Sequence, residues 1–171
     1  MELQILHMIQ GWHHDWLSQI MIFFSTIGNA GACWIALCVV LLLIPRTRKC
    51  GLTMGIAMLV TVLLGNEVIK KVVARPRPCA VDTSVDLLIP YPSQYSFPSG
   101  HTSNSFTAAV SILLYYRKPG IIALVVASII AFSRMYLFVH YPTDILGGIV
   151  LGTLDAILVF QCMRKWERRK G

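Results

Sequence analysis

Long apolar runs divided by short polar and basic stretches set the pattern of this chain. After a mixed start, hydrophobic stretches cover residues 20–44, 52–69, 99–116, 120–138 and 145–163. A hydrocarbon core of about 30 Å takes roughly 20 residues of helix to cross, so the first run is long enough and several others lie near the lower limit. Gly28, Asn29 and Gly31 interrupt the first run, which predicts a break or kink there. The pattern therefore predicts an all-α polytopic membrane helix bundle of five helices, or six if the first run splits. Residues 1–16 mix apolar side chains with Gln4, His7, His13, His14 and Asp15. They are too polar to span, and they predict an N-terminal interfacial helix with Trp12 and Trp16 as anchors. The one long loop, 75–98, opens on Arg75-Pro76-Arg77-Pro78 and closes on Phe97-Pro98. These prolines stop the neighbouring helices and stiffen both ends of the loop. The chain, 1–171, reads as a single membrane-embedded domain.

Composition agrees: 56% of residues are hydrophobic and 13% charged, about half the charged share of a soluble domain. The net charge of +7 does not point to nucleic acid, because the basic residues sit in short clusters between apolar runs and no nucleic-acid motif is present. Arg46, Arg48 and Lys49 follow the first run, Arg117 and Lys118 separate the third from the fourth, and Arg164, Lys165, Arg168, Arg169 and Lys170 follow the fifth. With alternating crossings all ten fall on one side, which the positive-inside rule makes cytoplasmic, together with the C-terminus. Lys70, Lys71, Arg75, Arg77 and Arg134 fall at the opposite, outer face, where a group of cations implies an anion to bind. The start of the chain lacks the basic region of a signal peptide. Cys33, Cys38, Cys50, Cys79 and Cys162 match no zinc spacing and read as unpaired small hydrophobes, with only Cys79 placed in a polar loop.

Three segments at that outer face carry candidate chemistry. In the first, Lys70 to Pro78, Lys71 and Arg75 read as snorkelling charges at a helix end. Arg77, held between two prolines, suits bidentate phosphate recognition, and Lys70 suits a point charge. In the second, Pro98-Ser99-Gly100-His101, Ser99 is a natural N-cap whose helix start attracts an anion. Gly100 lets backbone approach a ligand, and His101 stands in the first turn. In the third, Arg134 lies in an otherwise apolar helix, and His140 and Asp144 are one helical turn apart. Asp144 can then accept from one imidazole nitrogen and leave the other as a nucleophile. Glu67 reads as a local ion-pair partner of Lys70, and Asp155 as a bundle-facing acid paired with a polar group. His7, His13 and His14 read as interfacial and not catalytic.

In this order the segments resemble the three-part pattern of the type-2 phosphatidic acid phosphatase superfamily. That pattern is Lys with six residues before Arg-Pro, then Pro-Ser-Gly-His, then Ser-Arg with five residues before His and three more before Asp. Here it reads Lys70…Arg77-Pro78, Pro98-Ser99-Gly100-His101 and Ser133-Arg134…His140…Asp144, a match at every position. The resemblance implies a phosphohistidine formed on His140, orientation of that ring by Asp144, and protonation of the leaving oxygen by His101. Lys70, Arg77, Ser99, the Gly100 N–H and Arg134 would hold the phosphoryl oxygens, with no metal or other cofactor.

The implied reaction is hydrolysis of a membrane lipid phosphate, a phosphomonoester or diphosphate, at the outer leaflet. Undecaprenyl diphosphate is the favoured substrate, with phosphatidylglycerophosphate and phosphatidic acid close behind. Loop residues 79–97 are expected to shape selectivity. A phosphotransferase would use the same residues, and a non-catalytic lipid-binding protein could keep the fold. A haloperoxidase reading is disfavoured because those relatives are soluble.

Overall fold

The computed structural model describes residues 1–169, and among them every regular element is helical. The polar start folds as α1 (Glu2–Gln10) and then turns, so the predicted interfacial helix over 1–16 stops at Gln10. His14 is extended and Asp15 already begins α2 (Asp15–Ile27), which places Trp16 in the next helix. α1 is docked on protein rather than lying free. Leu6 and Ile9 are buried against Tyr136, Leu137, Phe138 and Val139, and Gln10 donates to the Tyr136 carbonyl at 2.9 Å.

The first apolar run is broken, as its small residues predicted. α2 and α3 (Ala32–Leu43) meet at an angle of 48° across a short 3₁₀ turn, Asn29–Gly31. Ala30 and Gly31 take left-handed φ values of 51° and 71° there. The second run becomes α4 (Arg48–Val62), passes through a π-helical stretch at Leu63–Ile69, and ends as α5 (Lys70–Val73). Ala74, with φ of 47°, terminates it ahead of the prolines. Pro78 starts a single turn, α6 (Pro78–Val81), inside the long loop.

The last three helices are α7 (Gly100–Tyr115), α8 (Arg117–Tyr136) and α9 (Pro142–Arg168). Among the described residues, three helices are long and apolar enough to cross a membrane, and the bent α2–α3 pair would be a fourth if it forms one broken span. α7, at 16 residues, is shorter than these helices, yet it still joins the two ends of the bundle: Gly100 at its start lies beside Lys70, and Tyr116 at its end bonds to Arg46. Its position explains the difference. α7 is the central helix, packed against α4, α8 and α9. Ser103, Ser105 and Thr107 are buried within the bundle with hydrogen-bond partners: Ser103 and Thr107 donate to the Gly100 and Ser103 carbonyls, and Trp34 donates to Ser105 Oγ at 2.9 Å. A helix screened from lipid by its neighbours needs internal partners for its polar groups, not an apolar exterior.

Close packing at α7 depends on small residues. A Cβ at Gly152 would sit 2.3 Å from the Ser103 carbonyl oxygen, and one at Gly148 would sit 2.9 Å from that of Ser99. These glycines, four apart on α9, let the two backbones approach. Deeper in the same interface, Thr61 of α4 donates to Asp155 of α9 at 2.7 Å, so Asp155 is bundle-facing and partnered as its sequence context predicts. The outward face is the inverse: Leu43, Val72, Ile122 and Leu158 are all exposed and apolar.

The described members of the three basic clusters gather at one end of the bundle, and Lys170 lies outside the described residues. Tyr116 donates to the Arg46 carbonyl at 2.9 Å, and Lys49 pairs with Glu167 at 2.8 Å. The start of α7, the 75–98 loop, α1 and the α8–α9 turn gather at the other end.

Candidate functional site

A cavity of about 570 Å³ opens at that second end. It is walled by the α2–α3 break, the end of the α4–α5 rod, the 75–98 loop, the start of α7 and the α8–α9 turn. Lys70, Arg77 and Arg134 line it, and no Asp or Glu stands among its described lining residues. All three cations are buried. Unpaired positive charge in such a place is costly until an anion joins it.

His140 forms one wall. Tyr136 ends α8, Phe138 adopts a left-handed φ of 58°, and α9 starts at Pro142, so His140 is held in a tight connection between two long helices. Its Nε2 accepts from Arg77 Nη1 at 3.0 Å. That leaves the ring proton on Nδ1, which faces Asp144 Oδ2 and Ser96 Oγ, each at 3.4 Å. Ser96 in turn donates to Asp144 Oδ2 at 2.5 Å, and the Tyr141 N–H donates to the same oxygen at 2.8 Å. Asp144 therefore closes the first turn of α9 and orients the imidazole at once. Burial pushes the His140 ring down to about 3, against the opposing pull of its hydrogen bond with Asp144. Near pH 7 the ring is neutral, with Nε2 the nitrogen that faces the cavity.

The cations are held from behind so that their remaining donors face inward. Arg77 donates through Nε to the Gln94 carbonyl at 2.6 Å and through Nη1 to the Val139 carbonyl at 2.9 Å. Lys70 donates to Gln94 Oε1 at 3.0 Å. Arg134 donates to Ser25 Oγ, while its buried Nε has no partner among the described residues. Gly100 sits beside Lys70, since a Cβ there would lie 3.6 Å from Nζ.

His101 occupies the facing wall in the first turn of α7. Its Nε2 donates to Asn29 Oδ1, 2.9 Å away on the α2–α3 break. Ser99 caps α7 by accepting from the Thr102 N–H at 3.4 Å and hydroxyl at 3.0 Å. It is fully buried and lies behind the cavity surface, which Gly100 and His101 reach. The structure thus gathers all eight expected site residues in one place: six line the cavity, Asp144 stands directly behind His140, and Ser99 lies beneath the cavity surface as the N-cap of α7.

Other readings change. Arg75 does not snorkel: it turns inward to Asp144 Oδ1 at 2.8 Å and to Glu2 Oε2 at 2.5 Å. Glu67 pairs with Lys71 at 2.6 Å, one full turn away, because Lys70 points into the cavity. Cys79 is buried, and all five cysteines are unpaired. His7 pairs with Asp82 at 2.8 Å and His13 stacks on Tyr136, so neither lines the cavity. Among the described residues no three His, Cys, Asp or Glu side chains converge as metal ligands. Sequence reasoning missed Ser96, Gln94 and Asn29. Each is a neutral polar residue in a loop or break, with no spacing rule to mark it.

Residues 48–168 match the PAP2 superfamily. The chain is 38% identical over 146 residues to the undecaprenyl-diphosphatase of Sulfolobus acidocaldarius, a match covering 85% of this chain and 70% of that one. It is 31% identical over 149 residues to the undecaprenyl-diphosphatase BcrC of Bacillus subtilis, covering 87% and 76%. The crystal structure of a transmembrane PAP2-type phosphatidylglycerolphosphate phosphatase from Bacillus subtilis superimposes with a TM-score of 0.79 at 29% identity, over 96% of this chain and 85% of that one. The chain belongs to the PAP2 superfamily, and it is a multi-pass membrane phosphatase, a hydrolase of phosphoric esters.

Proposed function

We propose that this PAP2 phosphatase removes the terminal phosphate of a polyprenyl diphosphate, with undecaprenyl diphosphate as its substrate, through a phosphohistidine on His140. The observation that carries this reading is an oriented His140, its Nε2 held as an acceptor by Arg77, in a cavity lined by three buried cations and, among the described residues, no carboxylate. Phosphoryl transfer depends chiefly on positioning and on neutralising equatorial charge. Arg77, Lys70, Arg134 and the Gly100 N–H supply both. An arriving phosphoryl oxygen takes over the Arg77 donor and so frees Nε2 to attack.

The chemistry then runs in two displacements. Nε2 bonds to phosphorus as the bond to the leaving oxygen breaks, and His101 gives that oxygen a proton. A water next attacks the phosphohistidine, its proton passes to His101, and inorganic phosphate leaves. The diphosphate reading is supported by the two undecaprenyl-diphosphatase relatives. A second reading, phosphatidylglycerophosphate, is supported by the likeness to the Bacillus subtilis phosphatase. The position of the cavity end, opposite the described basic clusters, supports a site at the outer face and the end of α9 in the cytoplasm by the positive-inside rule.

The test is phosphate release by purified protein from undecaprenyl diphosphate, phosphatidylglycerophosphate and phosphatidic acid, with EDTA present. Wild type should release one phosphate per lipid, fastest from the diphosphate, and His140→Ala should release none. Activity retained in His140→Ala would overturn the mechanism. A phosphoryl group recovered on a second lipid, rather than as free phosphate, would make the protein a transferase.

A further inference from the structure

The N-terminal helix reaches the reacting centre through one side chain. Glu2, in the first turn of α1, accepts from Arg75 Nη2 through Oε2. Through Oε1 it accepts from the Thr143 N–H at 3.1 Å and the Thr143 hydroxyl at 2.7 Å. Arg75 Nη1 donates to Thr143 Oγ1 at 2.6 Å and to Asp144 Oδ1 at 2.8 Å, and its guanidinium lies 3.9 Å from the Tyr141 ring centroid. The backbone carbonyl of Arg75 also accepts from the Ser96 N–H at 2.9 Å. Ser96 is the residue whose hydroxyl holds the other Asp144 oxygen.

Arg75 therefore governs both oxygens of Asp144. Its side chain fixes Oδ1, and its backbone places the Ser96 hydroxyl on Oδ2, the oxygen that faces His140. Glu2 holds the second nitrogen of the guanidinium and so sets the angle at which the first meets Asp144. Buried Leu6 and Ile9 keep α1, and with it Glu2, in place. We propose that Glu2 and Arg75 are positioning residues that lock the Asp144 carboxylate against His140, making α1 part of the catalytic apparatus. This rests on the reading of His140 as nucleophile. Neither residue lines the phosphate cavity, so both act on turnover and not on lipid binding.

Steady-state phosphate release from undecaprenyl diphosphate, or from phosphatidylglycerophosphate if that is the lipid cleaved, tests the proposal. The variants are Glu2→Gln, Arg75→Gln, Arg75→Lys and the double Gln variant, with Glu67→Gln as an exposed ion-pair control. Misplacing a reacting group by an ångström can cost about a hundredfold, so Arg75→Gln should lower kcat about 50-fold and Glu2→Gln about 5-fold, with KM changed less than about 2-fold. Arg75→Lys should recover about 5-fold of the loss, and the double variant should be no worse than Arg75→Gln. Equal kcat in all variants, a loss confined to KM, or multiplying losses in the double variant would sink the proposal. If Arg75→Gln fails to fold, Glu2→Gln decides alone, because Glu2 sits in the first turn of a surface helix. Activity surviving in His140→Ala would instead condemn the nucleophile reading itself, whatever Glu2 and Arg75 do.

Discussion

The two histidines of the cavity stand on walls built in different ways. His140 is fully enclosed, and its ring meets Arg77 on one nitrogen and Asp144 with Ser96 on the other. Those partners come from the α5–α6 connection, the end of the 75–98 loop and the first turn of α9. His101 is half-buried and has Asn29 as a side-chain partner, on a backbone break where Ala30 and Gly31 both sit in left-handed conformations. A non-glycine residue there costs on the order of 1 kcal/mol, which the surrounding packing must offset. The proposed mechanism accounts for the difference. Attack on phosphorus has the same geometry for every lipid, so a nucleophile at His140 can be fixed from all sides. The leaving oxygen would arrive attached to a hydrophobic body, so an acid at His101 would stand against the point where the α2–α3 helix pair is interrupted.

Changes to the His140 wall should have the larger effect. Asp144→Asn removes the negative charge and turns one of the two accepting oxygens into an NH2 donor, so the imidazole proton, Arg75, Ser96 and the Tyr141 N–H can no longer all be accepted. In the Ser-His-Asp triad the equivalent change costs about 10⁴-fold, so kcat here should fall by about 10³-fold or more. The loss should be equal for a lipid phosphate and for p-nitrophenyl phosphate, because both need the same nucleophile. His101→Ala should lower kcat on the lipid by about 10²- to 10³-fold, within the range of general acid catalysis. On p-nitrophenyl phosphate, whose leaving group departs without a proton, formation of the phosphoenzyme should slow by less than about 10-fold. Rapid-quench measurement of phosphoenzyme on both substrates separates the two walls. An equal loss on both substrates in His101→Ala would show that His101 is not the acid.

The two walls were also unequally legible. Lys70, Arg77, His101, Arg134, His140 and Asp144 carry charge or a titratable ring, and a charged residue near an apolar run is conspicuous. The helices followed from apolar periodicity for the same reason. Three things were hidden. The shortness of α7 was obscured because a central helix can bury Ser, Thr and Asn against its neighbours, which no hydropathy argument anticipates. The inward turn of Arg75 has no local signature in the sequence, because its ion-pair partner Glu2 lies 73 positions away. Asn29 was visible only as an interruption of a run. Its contact with His101 bridges 72 positions and depends on a φ sign that the residue at position 30, an alanine, does not advertise.

Asn29 offers the finest test of the contrast. Its side chain accepts from His101 Nε2, so Asn29→Ala removes one hydrogen bond at a partly exposed site without adding charge. Such a bond contributes about 1 kcal/mol, equivalent to roughly a 5-fold fall in kcat. The sign of the coupling matters more than the size. If Asn29 acts by steadying the acid, the substitution should have no effect in a His101→Ala background and should disappear with p-nitrophenyl phosphate. Combined with Asp144→Asn it should multiply, because the two walls then fail independently. A 5-fold loss that persists without His101 would mean that the α2–α3 break shapes the cavity as a whole, and the division of labour between its walls would have to be abandoned.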